Sequence, residues 1–220
     1  GSWRDSKYWF KYSLASLYMI LCLRLNGVRV PFPMTGDSYQ ILRMARWVRA
    51  SLNAHGHCLV YSNVSHALRI CIAAEQAGFD LRGATFRVGG EPLTPAKSET
   101  LQRAGVKWIV AYGSIEANGI GLGCAQPNSE NDVHLSKDAY ALFTYPHTIP
   151  DFQITVPAFN LTTLRDSAPK ILFNYQSDDY GNLDERSCGC PLEEHGYTTH
   201  LSEIRTYSKL VGEGITLIGN

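Results

Sequence analysis

TFRVGGEPLTPAKSETLQRAGVKWIVAYGSIEANG, running from Thr85 to Gly119, decides the fold. Thr85 to Val88 favour extended backbone and stop at Gly89-Gly90, where a chain can bend sharply or let a ligand approach. Thr94 suits the cap of a following helix, Pro95 its first turn and Gly105 its end. Val106 to Ala111 form a short apolar run, the pattern of a strand buried in a parallel sheet. That strand empties into Tyr112-Gly113-Ser114-Ile115-Glu116. Ligands of parallel α/β sheets gather at the carboxyl ends of the strands, so neighbouring strands ending in GGEP and YGSIE would form one rim. This rim is the candidate site.

Moving outward, Cys58 to Ser62 is a short apolar strand and Ser65 to Ala77 a helix stopped by Gly78. With the first stretch this gives β-α-β-α-β, with right-handed connections, a parallel sheet and flanking helices. The loop from Tyr61 to Ser65 falls on the same rim. Ser62, Asn63 or Ser65 can cap the helix there; alternatively Tyr61 or Asn63, with Gly89, lies beside a substrate. Further upstream, Asp37 and Gln40 give a capping-box-like start to a helix reaching about Ala54, with Met44, Trp47, Val48 and Leu52 as core. Val28 to Thr35, with Pro31 and Pro33, reads as an extended connector. Trp3 to Asn26 is rich in aromatic and aliphatic residues, but its uninterrupted part, Tyr12 to Leu23, is shorter than the roughly 20 residues a membrane span needs. It is expected to be a buried helix, or one that docks on another part of a parent protein. Beyond Gly119, strand-like runs (120–124, 139–144, 153–156 and 170–175) are separated by polar or proline-containing turns. They predict an antiparallel β portion, 120–220, folded against the α/β core of 3–119.

Composition excludes several classes. The chain has 220 residues, 45% of them hydrophobic, enough for a sizeable core. Its formal net charge is zero, which speaks against a nucleic-acid or anionic-membrane surface. Six irregularly spaced cysteines suit reduced thiols or a metal better than a disulfide framework, and a cytoplasmic location is expected. Gly1-Ser2 resembles a cloning scar and is left out of the fold reading. Ser114 is no hydrolase nucleophile by pattern, because no G-x-S-x-G elbow surrounds it.

GGEPLTPAK followed by YGSIE, then NYQSDDYGNL with CGCP, then LSEIRTYSKLVGEGITLIGN, resembles the adenylate-forming ligases, most closely the phenylacetate-CoA ligase-like branch. The similarity runs from Cys58 onward. It implies an ATP-dependent enzyme that converts a small carboxylic acid to an acyl-adenylate and then passes the acyl group to a thiol of CoA or a carrier protein. On the family pattern, Gly90, Glu91 and Pro92 would border the adenine and Tyr112 would stack on it. Gly113, Ser114 and Ile115 would lie along the nucleotide, Glu116 would act in catalysis by holding Mg2+ against the phosphates, and Asp179 would take the ribose hydroxyls. Departures accompany the match. Ile115 stands where the family has a threonine, and Tyr175-Gln176-Ser177-Asp178-Asp179 replaces YRTGD, losing an arginine and a glycine. The family's upstream phosphate loop and its lysine-bearing C-terminal domain are expected to lie outside this chain, leaving it inactive alone. A non-catalytic nucleotide- or acyl-binding relative is the alternative.

Cys124, His134, Cys188 and Cys190 form a second constellation. Cys-Gly-Cys is a reasonable half-site for a soft metal, and Cys124 and His134, in GLGCAQP and NDVHL, stand where the resemblance implies a Cys and a His; together the four match the tetrahedral preference of a structural zinc. His195 is a possible substitute ligand. Cys22, Cys58 and Cys71 sit in apolar contexts and are expected in the core.

Overall fold

A computed structural model describes residues 3–28, 40–149 and 153–207, with side chains from Leu14 onward. The chain divides into two compact units, Gly1–Gln40 and Ile41–Asn220. The first contains helix α1 (Trp3–Leu25). Leu14, Leu17, Tyr18, Met19, Leu21 and Leu25 are exposed, so the helix predicted here forms but is not buried. Its apolar residues run consecutively around the axis instead of along one stripe, and one helix supplies no second layer to bury them. No described helix is long and apolar enough to cross a membrane. The Asp37 cap, the 29–35 connector and residues 208–220 lie outside the described residues.

The second unit begins with α2 (Ile41–His55), whose buried Ile41, Ala45, Val48 and Leu52 recur at helical spacing. Met44 packs partly against this core. Trp47, expected in the core, falls off the stripe and is exposed. Strand β1 (Cys58–Asn63), helix α3 (Val64–Gln76), β2 (Ala84–Gly89), helix α4 (Pro95–Arg103) and β3 (Lys107–Ser114) follow in alternation. The three strands pair in parallel, Cys58 opposite Ala84 and Thr85 opposite Lys107, as the sequence predicts. Ala84, Phe86 and Val88 of β2 point into one core with the inward faces of α2 to α4. On the alternate positions Leu59, Tyr61 and Ile109 remain exposed. Thr94 stands at the N-cap of α4 without a side-chain bond, and Pro95 opens the helix.

The antiparallel half comprises β4 (Asn118–Gly123), β5 (Val133–Leu135), β6 (Tyr140–Ile149), β7 (Ile154–Thr163), β8 (Tyr175–Glu185), the one-turn α5 (Pro191–Glu194) and β9 (Thr199–Thr206). It continues the parallel strands in one nine-stranded sheet ordered β1-β2-β3-β4-β5-β9-β8-β7-β6, and Val110 and Tyr112 of β3 pack against its core. Its own core holds Ile120, Val133, Phe159, Leu161 and Leu201. The strand expected over 170–175 is irregular as far as Asn174, with Ile171 and Phe173 exposed; only Tyr175 belongs to a strand. Gly113 is fixed by the tight β3–β4 hairpin, since a Cβ there would come within 2.0 Å of the Asn118 carbonyl oxygen. At the end of β2, a Cβ on Gly89 would meet the Ala111 carbonyl oxygen at 2.5 Å. Strand packing is by itself enough to require these two glycines.

Candidate functional site

The carboxyl ends of β2 and β3 open into a cavity walled by Gly90, Glu91, Pro92, Tyr112, Gly113 and Asp179. Three strands separate β3 from β8 in the sheet order, yet the Tyr112 hydroxyl donates to Asp179 Oδ2 at 2.9 Å. The sheet therefore curls back on itself, and the Tyr112 ring also meets Phe159 edge-on at 6.3 Å. Asp179 pairs with Thr206 across β8 and β9, and Thr206 Oγ1 donates to Asp179 Oδ1 at 2.6 Å. Burial first, then the Asp179 charge, push the Tyr112 hydroxyl well above its ordinary value, so Tyr112 stays a donor.

Glu91 lines the cavity but its carboxylate is engaged elsewhere, and Tyr61, Asn63, Ser114, Ile115 and Glu116 lie outside the lining. Glu91 turns its carboxylate to the start of α3, accepting from the Ser65 hydroxyl and from the Ser65 N–H at 3.2 Å. Asn63 caps α3, its Oδ1 accepting from His66 N at 2.8 Å. Tyr61 is exposed, with the Arg87 guanidinium 5.3 Å from its ring centre. Ser114 Oγ accepts from Ala117 N at 3.1 Å, and Ile115 is 100% exposed on the turn. Glu116, half-buried, acts together with Asp178 and Asp179 on Tyr175. Burial of that hydroxyl and these three negative charges raise its pKa.

On the flank of the sheet, thiols and imidazoles converge. The ligand atoms of Cys124, His134, Cys188 and His200 lie within 4.8 Å of one another. Cys190 Sγ adjoins this group, 3.1 Å from His134 Nε2, and Cys188 Sγ is 3.9 Å from the same nitrogen. His134 Nδ1 sits 2.7 Å from the Tyr197 carbonyl oxygen, which can only accept, so the proton is on Nδ1 and Nε2 offers a lone pair. His200 Nδ1 likewise faces Asp132 Oδ1 at 2.7 Å, and Asp132 is paired through its other oxygen with Arg186. His200 Nε2 is buried with no hydrogen-bond partner among the described residues. Burial opposes ionisation of Cys190, yet the N–H groups of Leu192, Ala125 and Glu193 and the Cys188 thiol bring it down to about 6. Burial, and then the adjoining Cys188 and Cys190, push Cys124 up to about 12. The Glu193 carboxylate pins the Cys-Gly-Cys turn by accepting from Cys188 N at 2.8 Å and Gly189 N at 2.5 Å.

An orphaned imidazole nitrogen among lone pairs and crowded thiols fits a thiophilic divalent cation; zinc matches the donor set. Of the expected ligands, Cys124, His134 and Cys188 converge and Cys190 stands beside them. His195 ends α5 and is exposed, so it is no substitute. His200 was not anticipated; it lies buried next to buried Leu201 in β9, and its one signal is its place shortly after CGC. Asn131, a further wall of the cavity, carries no motif, and Thr206, also in the wall, falls within LSEIRTYSKL without being singled out there.

No family model matches the sequence, and no curated protein matches it either. The structure is similar to an open conformation of 2-hydroxyisobutyryl-CoA ligase, solved with 2-HIB-AMP and CoA, with a TM-score of 0.56 and 18% identity. That match covers 76% of this chain and 38% of the ligase. Weaker similarities reach the N-terminal subdomain of Klebsiella oxytoca NpsA (TM-score 0.45, 12% identity, 79% of this chain and 45% of that one). The N-terminal domain of FACL13 from Mycobacterium tuberculosis is similar at TM-score 0.41 and 15% identity, over 64% of this chain and 39% of that one. The chain thus spans less than half the length of each. The mixed sheet, parallel at its first strands and flanked by helices, is a fold shared with 2-hydroxyisobutyryl-CoA ligase.

Proposed function

We propose that this chain is the nucleotide-binding part of an ATP-dependent ligase that activates a carboxylic acid as its acyl-adenylate. The observation that carries this reading is the Tyr112–Asp179 contact, which joins two motif segments 67 residues apart inside one cavity at the strand ends. In the reaction a carboxylate oxygen of the acid attacks the α-phosphorus of ATP. The bond to the bridging oxygen breaks and pyrophosphate leaves. In a second step a thiolate, of CoA or a carrier protein, attacks the acyl carbonyl and AMP departs. Because the acid is already a nucleophile, the protein's task is to position the reactants and balance charge.

Asp179 is suited to a vicinal diol. Each of its oxygens already accepts one bond, and an ionised carboxylate retains lone pairs for two ribose hydroxyls. The donated hydroxyl bond fixes the Tyr112 ring, which would lie against the adenine, with Gly90 to Pro92 along its edge. Glu116 would hold Mg2+, which when bound draws the phosphates together and offsets their charge. A structural zinc on Cys124, His134 and Cys188, its fourth place taken by Cys190 or His200, would neutralise the thiolates and cross-link β5 to the loop before α5. The free thiols suit a reducing compartment such as the cytoplasm.

AMP titrated into the wild-type chain and into Asp179→Asn tests the assignment. Loss of charge-assisted bonds to the diol is expected to weaken binding by about tenfold or more, with the fold retained by circular dichroism. Equal affinity would remove Asp179 from the site. A second reading, a binding protein that does not catalyse, is favoured by Ile115, which places a fully exposed apolar side chain where a hydroxyl would face phosphate. ATP binding without acid-dependent pyrophosphate exchange, in a protein containing the whole ligase length, would select it.

A further inference from the structure

The loop between β4 and β5 links the thiol–imidazole cluster to the nucleotide cavity. Cys124 opens it and Asp132 closes it, Cys124 N donating to the Asp132 carbonyl at 3.1 Å. Asn128 N donates to the Asp132 carboxylate at 2.7 Å, and that carboxylate is held by His200 and Arg186. The loop is therefore fixed at the residue next to Asn131, and Asn131 lines the cavity with Gly90, Pro92, Tyr112 and Asp179. Its Oδ1 accepts from the N–H of buried Leu93 at 2.9 Å. That bond sets the carboxamide orientation. With the oxygen committed, the remaining polar group is the NH2, which has two protons to donate and no protein partner among the described residues.

The other polar side chains of the cavity are engaged. Tyr112 and Thr206 both donate to Asp179, and Glu91 is turned to Ser65. A purine presents ring nitrogens that accept hydrogen bonds along its edge. We propose that Asn131 reads the base, its NH2 donating to a purine ring nitrogen while its oxygen stays on Leu93. This rests on the nucleotide reading of the cavity. Asn131 is thereby a base-specificity residue supplied by the loop that the cluster anchors.

The test uses adenosine, which carries no charge, titrated into wild-type chain and Asn131→Asp. The variant keeps an oxygen for Leu93 N–H and turns the donor into an acceptor facing the ring nitrogen. Adenosine affinity is expected to fall by at least about tenfold, as for a polar group left opposed in a closed site. Melting temperature is expected to stay within about 2 °C of wild type, because the bond to Leu93 N–H is kept, so a fall in affinity is not a loss of fold. On the wild-type chain, one of 1-deaza-, 3-deaza- or 7-deazaadenosine should bind about tenfold more weakly than adenosine, and that loss should vanish in Asn131→Asp. This second comparison stands if the variant fails to fold, since its first half needs the wild type only. Equal adenosine binding by wild type and variant, or no weakened deaza analogue, overturns the proposal. Failure of the wild-type chain to bind adenosine at all overturns the nucleotide reading, and the proposal with it.

Discussion

Tyr112 shows how one side chain serves both stability and the site. Its ordinary pKa near 10.0 is raised by burial and by the Asp179 charge, so the folded state holds the proton more tightly than the unfolded chain. The sign follows: the contribution is fully present below about pH 10 and is lost as pH climbs toward the folded value. Unfolding free energies from urea titrations are expected to fall steadily above pH 10 in the wild type, by up to about 1.4 kcal/mol per pH unit for one such proton. In Tyr112→Phe the fall should be shallower but not absent, because Tyr175 is also raised and Tyr207 is pushed up to about 12, burial leading in both. The variant should also lose about 1 kcal/mol at neutral pH with the bond to Asp179. Parallel curves for the two proteins would show that Tyr112 does not carry the alkaline loss. The two partners were legible in the sequence because each sits in a motif. Thr206 was not, since its place beside Asp179 comes from the register of β8 and β9, which no local pattern states.

At the scale of elements, what was legible follows from how much a segment buries. The parallel strands read clearly because their apolar residues alternate inward, with Ala84, Phe86 and Val88 all buried in one core. The run around Ile171 and Phe173 has the same composition and no partner strand, so it stays irregular with both side chains exposed. Composition alone could not separate them. Phe86→Ala is therefore expected to cost about 3–5 kcal/mol in urea unfolding, whereas Phe173→Ser should change stability by no more than about 0.5 kcal/mol. A large loss from Phe173→Ser would mean that this segment is covered after all. Strands β5 and β9 escaped notice for another reason. The first has three residues, and both set buried histidines at positions where an apolar side chain would advertise a strand.

Across the whole second unit, those histidines stand at its narrowest join. The sheet passes from β5 to β9 through two paired positions, Val133 with Leu201 and His134 with His200. By contrast β6 and β7 share ten pairs and β8 and β9 six, so the join between the β1–β5 half and the β6–β9 half is the weakest by backbone pairing. The histidine rings lie against each other there, centres 4.1 Å apart, with the three thiols beside them. A cation bound by Cys124, His134 and Cys188, with Cys190 or His200 in the fourth place, would fasten the two halves where hydrogen bonds are fewest. Its loss should therefore act locally before it acts globally. After treatment with a chelator, amide hydrogen exchange is expected to speed up in β5, β9 and the 124–132 loop. The β1–β2 pair, with six paired positions and its own core, should keep its protection. Stability of the seam should return on adding zinc, and Cys188→Ser should show the exchange of the chelated protein without chelator. Uniform loss of protection along all nine strands, or none anywhere, would mean that the cluster does not fasten this seam.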